Sequence, residues 1–184
     1  MNLKRTLIFA VILVVAGMFI YQLKGRERAQ RTEKIFLFDP QKVEEIRMAK
    51  GQQTITLKKE DKEWKVWPST KTEAIKTLHD EKIIRNLLSV FDYGILDVIH
   101  ENPTTLADFG LDSPAFEFSI RIKGDSSFKT ILIGNNNPVQ NSCYAKVRTS
   151  SRVLLLGILY KTDLDSIFDR LHVNANGKSI TGKP

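Results

Sequence analysis

Cysteine and histidine are scarce in this sequence, which has one cysteine, Cys143, and three histidines in 184 residues. A single cysteine can neither close an intramolecular disulfide nor supply a thiolate metal cluster, and its expected role is that of a small buried strand residue. The histidines His79, His100 and His172 are far apart and lack the spacing of a zinc site. We therefore expect neither a metal nor another cofactor.

Local catalytic motifs are also missing. The sequence has no Gly-x-Ser-x-Gly elbow, no Walker loop and no Gly-x-Gly-x-x-Gly fingerprint, so hydrolase, nucleotide and dinucleotide chemistry have no local support. We predict that the protein is not an enzyme and has no catalytic residues. A hydrolase whose residues meet only in the fold is the remaining enzymatic alternative.

Excess basic charge is nearly absent outside the N-terminus. The net charge is +7, and residues 1–34 carry seven basic and two acidic side chains, a net of +5. Residues 35–184 hold the other 21 basic and 19 acidic side chains, a net of only +2. This distribution is typical of a membrane flank and argues against nucleic acid as a partner.

Residues 7–23 contain no charged side chain. As a helix they would span roughly 25 Å at about 1.5 Å per residue, which suffices for a membrane crossing when flanking residues help at the interfaces. We predict a transmembrane anchor at 7–23, a short basic N-terminus at 1–6 and a basic stalk at 24–34. The stalk side chains predicted to contact headgroups are Lys24, Arg26, Arg28 and Arg31. A signal peptide cleaved after Ala16 is the alternative.

Two sequence rules for membrane orientation disagree. More basic side chains follow the apolar segment than precede it, which favours a cytoplasmic domain under the positive-inside rule. A short tail that ends in Lys4-Arg5 directly before the apolar run is instead typical of an export signal, which places the domain outside. We predict the extracytoplasmic placement, partly on the resemblance given below.

Residues 35–172 predict one α+β domain built on a mostly antiparallel sheet. Short alternating runs at 43–48, 54–58 and 64–67 predict a meander of strands. Apolar residues at helical spacing over 79–91 predict a covering helix, with Asp80 as its N-cap.

The second half of the domain repeats this order, which suggests two meander-plus-helix halves and a degenerate internal repeat. Its predicted strands lie at 95–99, 115–122, 128–133, 143–148 and 152–156. Thr162 and Asp165 resemble a capping box, and we predict that they open the second amphipathic helix. Residues 173–184 lack periodic apolar residues and are predicted to form a disordered tail.

An Asn-rich loop that begins at Gly134 is the candidate binding site. Gly and Asn tolerate positive φ, and such a loop can direct several backbone N–H groups at an anion, although a wide strand connection is the structural alternative. Aromatic side chains could extend the site toward a peptide or a glycan. The predicted binding residues are Gly134, Asn135, Asn136, Asn137 and Tyr144, with Trp64 and Trp67 as further aromatic contacts.

Residues 101–114, Glu-Asn-Pro-Thr-Thr-Leu-Ala-Asp-Phe-Gly-Leu-Asp-Ser-Pro, resemble the signature turn of a bacterial family, the domain of unknown function DUF4340. Phe38-Asp39-Pro40, the Gly134 turn and Tyr144-Ala-Lys-Val147 fit the same pattern. The turn is predicted to be structural, because Gly110 can close a short helical turn and Pro114 stops ladder pairing before the next strand. Its predicted structural residues are Phe109, Gly110, Leu111 and Pro114.

What the resemblance implies is an N-terminally anchored domain outside the inner membrane of a bacterium, often encoded beside components of ATP-driven (ABC-type) transporters associated with gliding motility. It implies no catalytic residues. We therefore expect a non-enzymatic accessory or scaffold domain that binds a membrane-protein partner, such as an ABC-type transporter component. The alternative is an envelope module that binds a peptide, a glycan or an anion.

Overall fold

The computed structural model describes residues 33–68, 76–78, 81–100 and 103–175. The chain divides into two units, Met1–Thr32 and Glu33–Pro184, and every described residue belongs to the second. Within the described ranges, no helix has both the length and the apolar character that a membrane crossing needs. The predicted anchor at 7–23, the stalk as far as residue 32 and the tail from residue 176 lie outside these ranges and stay predictions.

The first half of the domain is the predicted antiparallel meander followed by a helix. Its strands are β1 (Val43–Lys50), β2 (Gln53–Glu60), β3 (Glu63–Pro68) and β4 (Lys76–Leu78). Helix α1 (Glu81–Ser89) follows and continues into a 3₁₀-helix (Val90–Tyr93). Each of the three predicted strands is present and two or three residues longer than its alternating core, because ladder pairing continues past the alternating apolar residues into the turns. The predicted N-cap, Asp80, lies outside the described residues.

The second half also has four consecutive strands followed by a helix, and it begins with an additional strand. Its elements are β5 (Asp97–His100), a 3₁₀-helix (Ala107–Phe109), β6 (Phe116–Ile122), β7 (Lys129–Asn136), β8 (Ser142–Val147), β9 (Val153–Gly157) and α2 (Ile158–Ala175). The additional strand, β5, pairs with β9. All nine strands form one sheet in the order β4-β3-β2-β1-β6-β7-β8-β9-β5. The antiparallel pairing of β1 with β6 joins the two meanders. The prediction of a mostly antiparallel α+β domain is thus confirmed for the described residues.

The predicted start of the last helix is wrong. Helix α2 begins at Ile158, directly after β9. Thr162 lies inside the helix, where its hydroxyl donates to the carbonyl of Ile158 at 2.9 Å, and Asp165 pairs with Lys50 of β1 at 3.2 Å. The buried residue Tyr160 draws the first turn into the core before the capping-box pattern is reached. At its other end α2 runs to Ala175, so the first three residues of the predicted tail are helical.

Both helices pack on the same face of the sheet. Alternating residues of the strands, such as Phe116, Phe118 and Ile120 of β6, share one buried cluster with the apolar stripes of α1 and α2. Phe91 lies at its centre, with ring centroids 5.0 Å from Phe118 and 6.0 Å from Tyr160. We call this side of the sheet the inner face.

A smaller cluster covers part of the opposite side, the outer face. Leu132 alternates with the inner-face residues Ile131 and Ile133 and therefore points outward. It packs with Leu111 and Val153 beneath the segment 103–114. The family-like turn thus covers the outer face of strands β7 to β9. It does not extend over the outer face of β1 to β3.

Candidate functional site

A cleft of about 830 Å³ opens on the inner side of the domain, between the segment 34–41 and helix α1. This volume lies in the range of about 300–1,000 Å³ that is typical of binding sites. Its apolar lining comes from three separate parts of the chain: Phe36, Phe38, Trp64, Ile84, Leu88 and Phe91.

Aromatic packing holds one wall of the cleft, the segment 34–41, against the rest of the domain. The rings of Phe36 and Phe38 lie 5.4 Å and 5.5 Å from that of Phe91, in tilted and edge-on arrangements that stabilise aromatic pairs. The wall then ends at Asp39, whose carboxylate accepts the backbone N–H of Gln41 at 2.9 Å and caps a 3₁₀-helix (Pro40–Lys42). Leu37 alternates with the two phenylalanines and is 83% exposed. An apolar side chain is therefore presented to solvent on a rigid wall.

The charges around the cleft balance. Three basic and three acidic side chains line it: Lys34, Lys59, Arg85, Asp39, Glu81 and Asp92. Lys34 and Asp92 form an ion pair at 2.9 Å across one end, and both side chains are more than half exposed. Such exposed pairs contribute little to stability, about 0–1 kcal/mol. A lining without net charge suits an apolar polypeptide segment better than an anion.

The predicted Asn-rich site does not have the backbone conformation on which the prediction depended. Gly134, Asn135 and Asn136 belong to strand β7, and the one residue of this loop with positive φ is Gln140, at 63°. The side chain of Asn137 accepts the backbone N–H groups of Asn141 and Ser142, at 3.1 Å and 3.2 Å. These N–H groups are used inside a closed turn instead of being directed at a ligand.

Close contact between two chain segments explains why position 134 is a glycine. A Cβ atom built on Gly134 would overlap the carbonyl oxygen of Phe109, and one built on Gly110 would lie 2.5 Å from Oδ1 of Asn135. Gly110 also has a left-handed conformation, φ 65° and ψ 28°, which ends the 3₁₀-helix (Ala107–Phe109). The Gly134 turn and the signature turn are therefore one packing unit, and the predicted structural role of Gly110 has a physical cause.

The predicted aromatic contacts do not lie together. Trp64 is buried on the inner face, whereas Trp67 lies an odd number of residues further along β3 and points to the outer face. Tyr144 packs edge-on against Phe109, at 5.1 Å, over the small outer cluster. Of these three aromatic residues, only Trp64 lines the cleft.

The described histidines serve as packing residues. His100 ends β5 with its ring 6.1 Å from that of Phe109, and His172 stacks on Phe168 at 6.0 Å. His79 lies outside the described residues. Among the residues that the structure describes, no group of three His, Cys, Asp or Glu side chains could hold a metal ion.

Cys143 is fully buried in β8. Burial raises the pKa of its thiol to about 11, and the nearby cation of Lys161 opposes this shift only in part. A thiol with this pKa carries almost no thiolate at neutral pH.

Sequence reasoning missed the cleft, although part of its signal was present. Phe36, Leu37 and Phe38 form a short apolar run directly before the turn signal Asp39-Pro40, which marks the start of ordered structure. Only the tertiary structure shows that this segment lies against a helix about 50 residues later in the sequence.

The geometry thus defines a small sheet domain with a cleft that has an apolar, aromatic lining and a rim of balanced charges. The sequence profile described as "Domain of unknown function (DUF4340)" matches residues 81–175, just over half of the chain. The protein therefore belongs to the DUF4340 family. No curated protein and no solved structure matches it significantly.

Proposed function

We propose that this protein is a membrane-anchored accessory domain that binds an apolar segment of a membrane-protein partner in the cleft. The cleft carries the proposal, because it combines an aromatic wall, an exposed Leu37 and a balanced rim. Its wall begins at residue 34, the last residue of the predicted stalk. A segment of a protein in the same membrane would therefore meet the cleft close to the bilayer.

The proposed placement is the outer side of the inner membrane of a bacterium, with one span at 7–23. The proposed partner class is a transporter component of the ABC type, which is what family resemblance implies. A non-enzymatic role is supported by the missing catalytic motifs and by the packing roles of the described histidines and of Cys143.

Membrane placement is tested by protease accessibility of the full chain in spheroplasts, combined with a carbonate wash. We expect external protease to digest the domain while an N-terminal fragment stays in the washed membranes. Protection from external protease would mean that the domain is cytoplasmic. Release by carbonate would mean that 7–23 is not an integral anchor.

Partner binding is tested by photo-cross-linking in intact cells, with benzoylphenylalanine in place of Leu37. The matched control has the same group at Val139, which is similarly exposed, 75% against 83%, but is not part of the cleft. We expect a discrete adduct with an integral membrane protein from position 37 only. An Arg85→Trp substitution on the exposed side of α1 should narrow the cleft and weaken this adduct. Equal adducts from both positions, or an adduct unaffected by Arg85→Trp, would contradict a role for the cleft.

A further inference from the structure

The outer side of β1, β2, β3 and β6 carries an ordered row of charged side chains. Strand register places Lys65, Lys58, Glu45 and Arg121 side by side on four neighbouring strands. At about 4.8 Å between strands, this row is roughly 14 Å long. The next row contains Trp67, Thr56, Arg47 and Ser119 in the same strand order. We call these two rows the basic face.

Two arginines of the basic face are held in fixed positions. The buried carboxylate of Glu45 accepts hydrogen bonds from Arg47 at 2.8 Å and from Arg121 at 2.5 Å. Both guanidinium groups also lie over the ring of Phe128, at 4.1 Å and 5.8 Å. The Arg47 side chain is nevertheless 49% exposed. Glu45 and Phe128 thus order two cations without removing them from solvent.

Two lysines extend the row of cations to β3, the strand next to the edge strand β4. Lys58 and Lys65 are direct cross-strand partners, an arrangement of like charges that destabilises a sheet. Glu60 reduces the repulsion between the two lysines, because it forms an ion pair with Lys65 at 2.9 Å. The ammonium group of Lys58 lies over the ring of Trp67, 5.6 Å from the ring centroid. Lys58, Lys65 and Trp67 are all partly exposed. Four cations and an aromatic ring therefore lie on this face, where the carboxylates of Glu45 and Glu60, and that of Glu44 at 4.0 Å from Arg121, offset part of the positive charge.

We infer that the basic face is a docking surface for the anionic phospholipid headgroups of the bilayer in which the chain is anchored. Excess positive charge and a partly exposed tryptophan beside it are properties that a membrane–water interface favours. Each Lys or Arg near anionic headgroups strengthens binding roughly fivefold.

This inference rests on the proposed function through the anchor. Positions 23 and 33 are ten residues apart in the sequence, a stretch that reaches at most about 36 Å in any conformation. The domain is therefore held near the bilayer, where the effective lipid concentration is high and a few weak contacts suffice. The face then sets the orientation of the domain, and with it the direction in which the cleft opens.

The test uses the full chain in lipid nanodiscs of two compositions, phosphatidylcholine alone and phosphatidylcholine with phosphatidylglycerol. Both contain a lipid spin-labelled at the headgroup, which quenches nearby tryptophan fluorescence. The signal of Trp67 is obtained by comparison with a Trp67→Phe variant, because Trp64 is buried. The variant Lys58→Gln/Lys65→Gln removes two cations from the face. Its control, Lys82→Gln/Arg170→Gln, removes two from exposed positions on the helices that cover the inner face.

We expect quenching of Trp67 to be several-fold stronger in the anionic discs, and to fall to the zwitterionic level at high salt. The lysine variant should lose this difference and the helix variant should keep it, with unchanged thermal unfolding in both. Equal quenching in the two disc types, or equal loss in both variants, overturns the inference. Binding of a single-stranded oligonucleotide to the wild type but not to the lysine variant, without lipid dependence, would assign the face to nucleic acid instead.

Failure of the proposed anchor gives a different result. A chain that does not co-elute with zwitterionic discs has no membrane anchor. A chain that co-elutes with both disc types but shows no lipid-dependent quenching is anchored and lacks this docking contact.

Discussion

The contact between the signature turn and strand β7 makes Gly134→Ala the most informative single substitution. The new Cβ would overlap the carbonyl oxygen of Phe109 and lie 3.0 Å from the carbonyl carbon of Gly110. Both obstacles are main chain and cannot rotate away, so the segment 103–114 must lift from the sheet. Overpacking costs about 1–3 kcal/mol, and we expect the upper end, about 3 kcal/mol. For a domain of this size that is a fall of roughly 6–12 °C in melting temperature.

The control is Gly157→Ala at the end of β9, where a Cβ would meet only Cδ1 of Leu96, at 3.9 Å. Neither glycine has a positive φ, so backbone strain is not expected in either variant. The two variants therefore differ in the space that is available for the new Cβ atom. Urea unfolding followed by circular dichroism measures both variants, and Gly157→Ala should change the free energy of unfolding by no more than about 0.5 kcal/mol. A Gly134→Ala midpoint equal to that of the wild type, or an equal loss in both variants, would refute the close-contact explanation.

Three further predictions concern buried polar groups. The pKa of Glu45 is lowered overall: burial alone would raise it, but the hydrogen bonds from Arg121 and Arg47 outweigh the effect of burial. Glu45→Gln should therefore cost about 2 kcal/mol at neutral pH, and urea titrations should show this difference shrinking below about pH 4.5, because the unfolded wild type binds a proton at Glu45 before the folded protein does; a constant difference would contradict this. The hydroxyl of Tyr160 is buried without a hydrogen-bond partner among the described residues, so Tyr160→Phe should raise the melting temperature or leave it unchanged. Cys143 should react with a thiol reagent in urea but only very slowly in the native protein, and rapid native labelling would contradict its burial.

Much of the fold was predictable because strand alternation and helical spacing are local signals. The alternation in β6 identifies Phe116, Phe118 and Ile120 as core residues, and the structure buries all three. The start of α2 was misplaced because a local capping pattern at Thr162 competed with the burial of Tyr160, which no local pattern reports. The anion site at the Asn-rich loop was predicted from the tolerance of Gly and Asn for positive φ, whereas Gly134 is a glycine because of a segment 25 residues earlier in the sequence.

By itself, the sequence determined the antiparallel α+β class, the two meander-plus-helix halves and the family-like turn, since each single strand, helix and turn in them depends on residues within about 20 positions of one another. Only the tertiary structure decided that β1 pairs with β6, that residues 34–41 and α1 enclose a cleft, and that Lys58, Lys65, Glu45 and Arg121 share one row. The physical reason is that periodicity tells which residues share a face, while strand register and packing decide what that face meets.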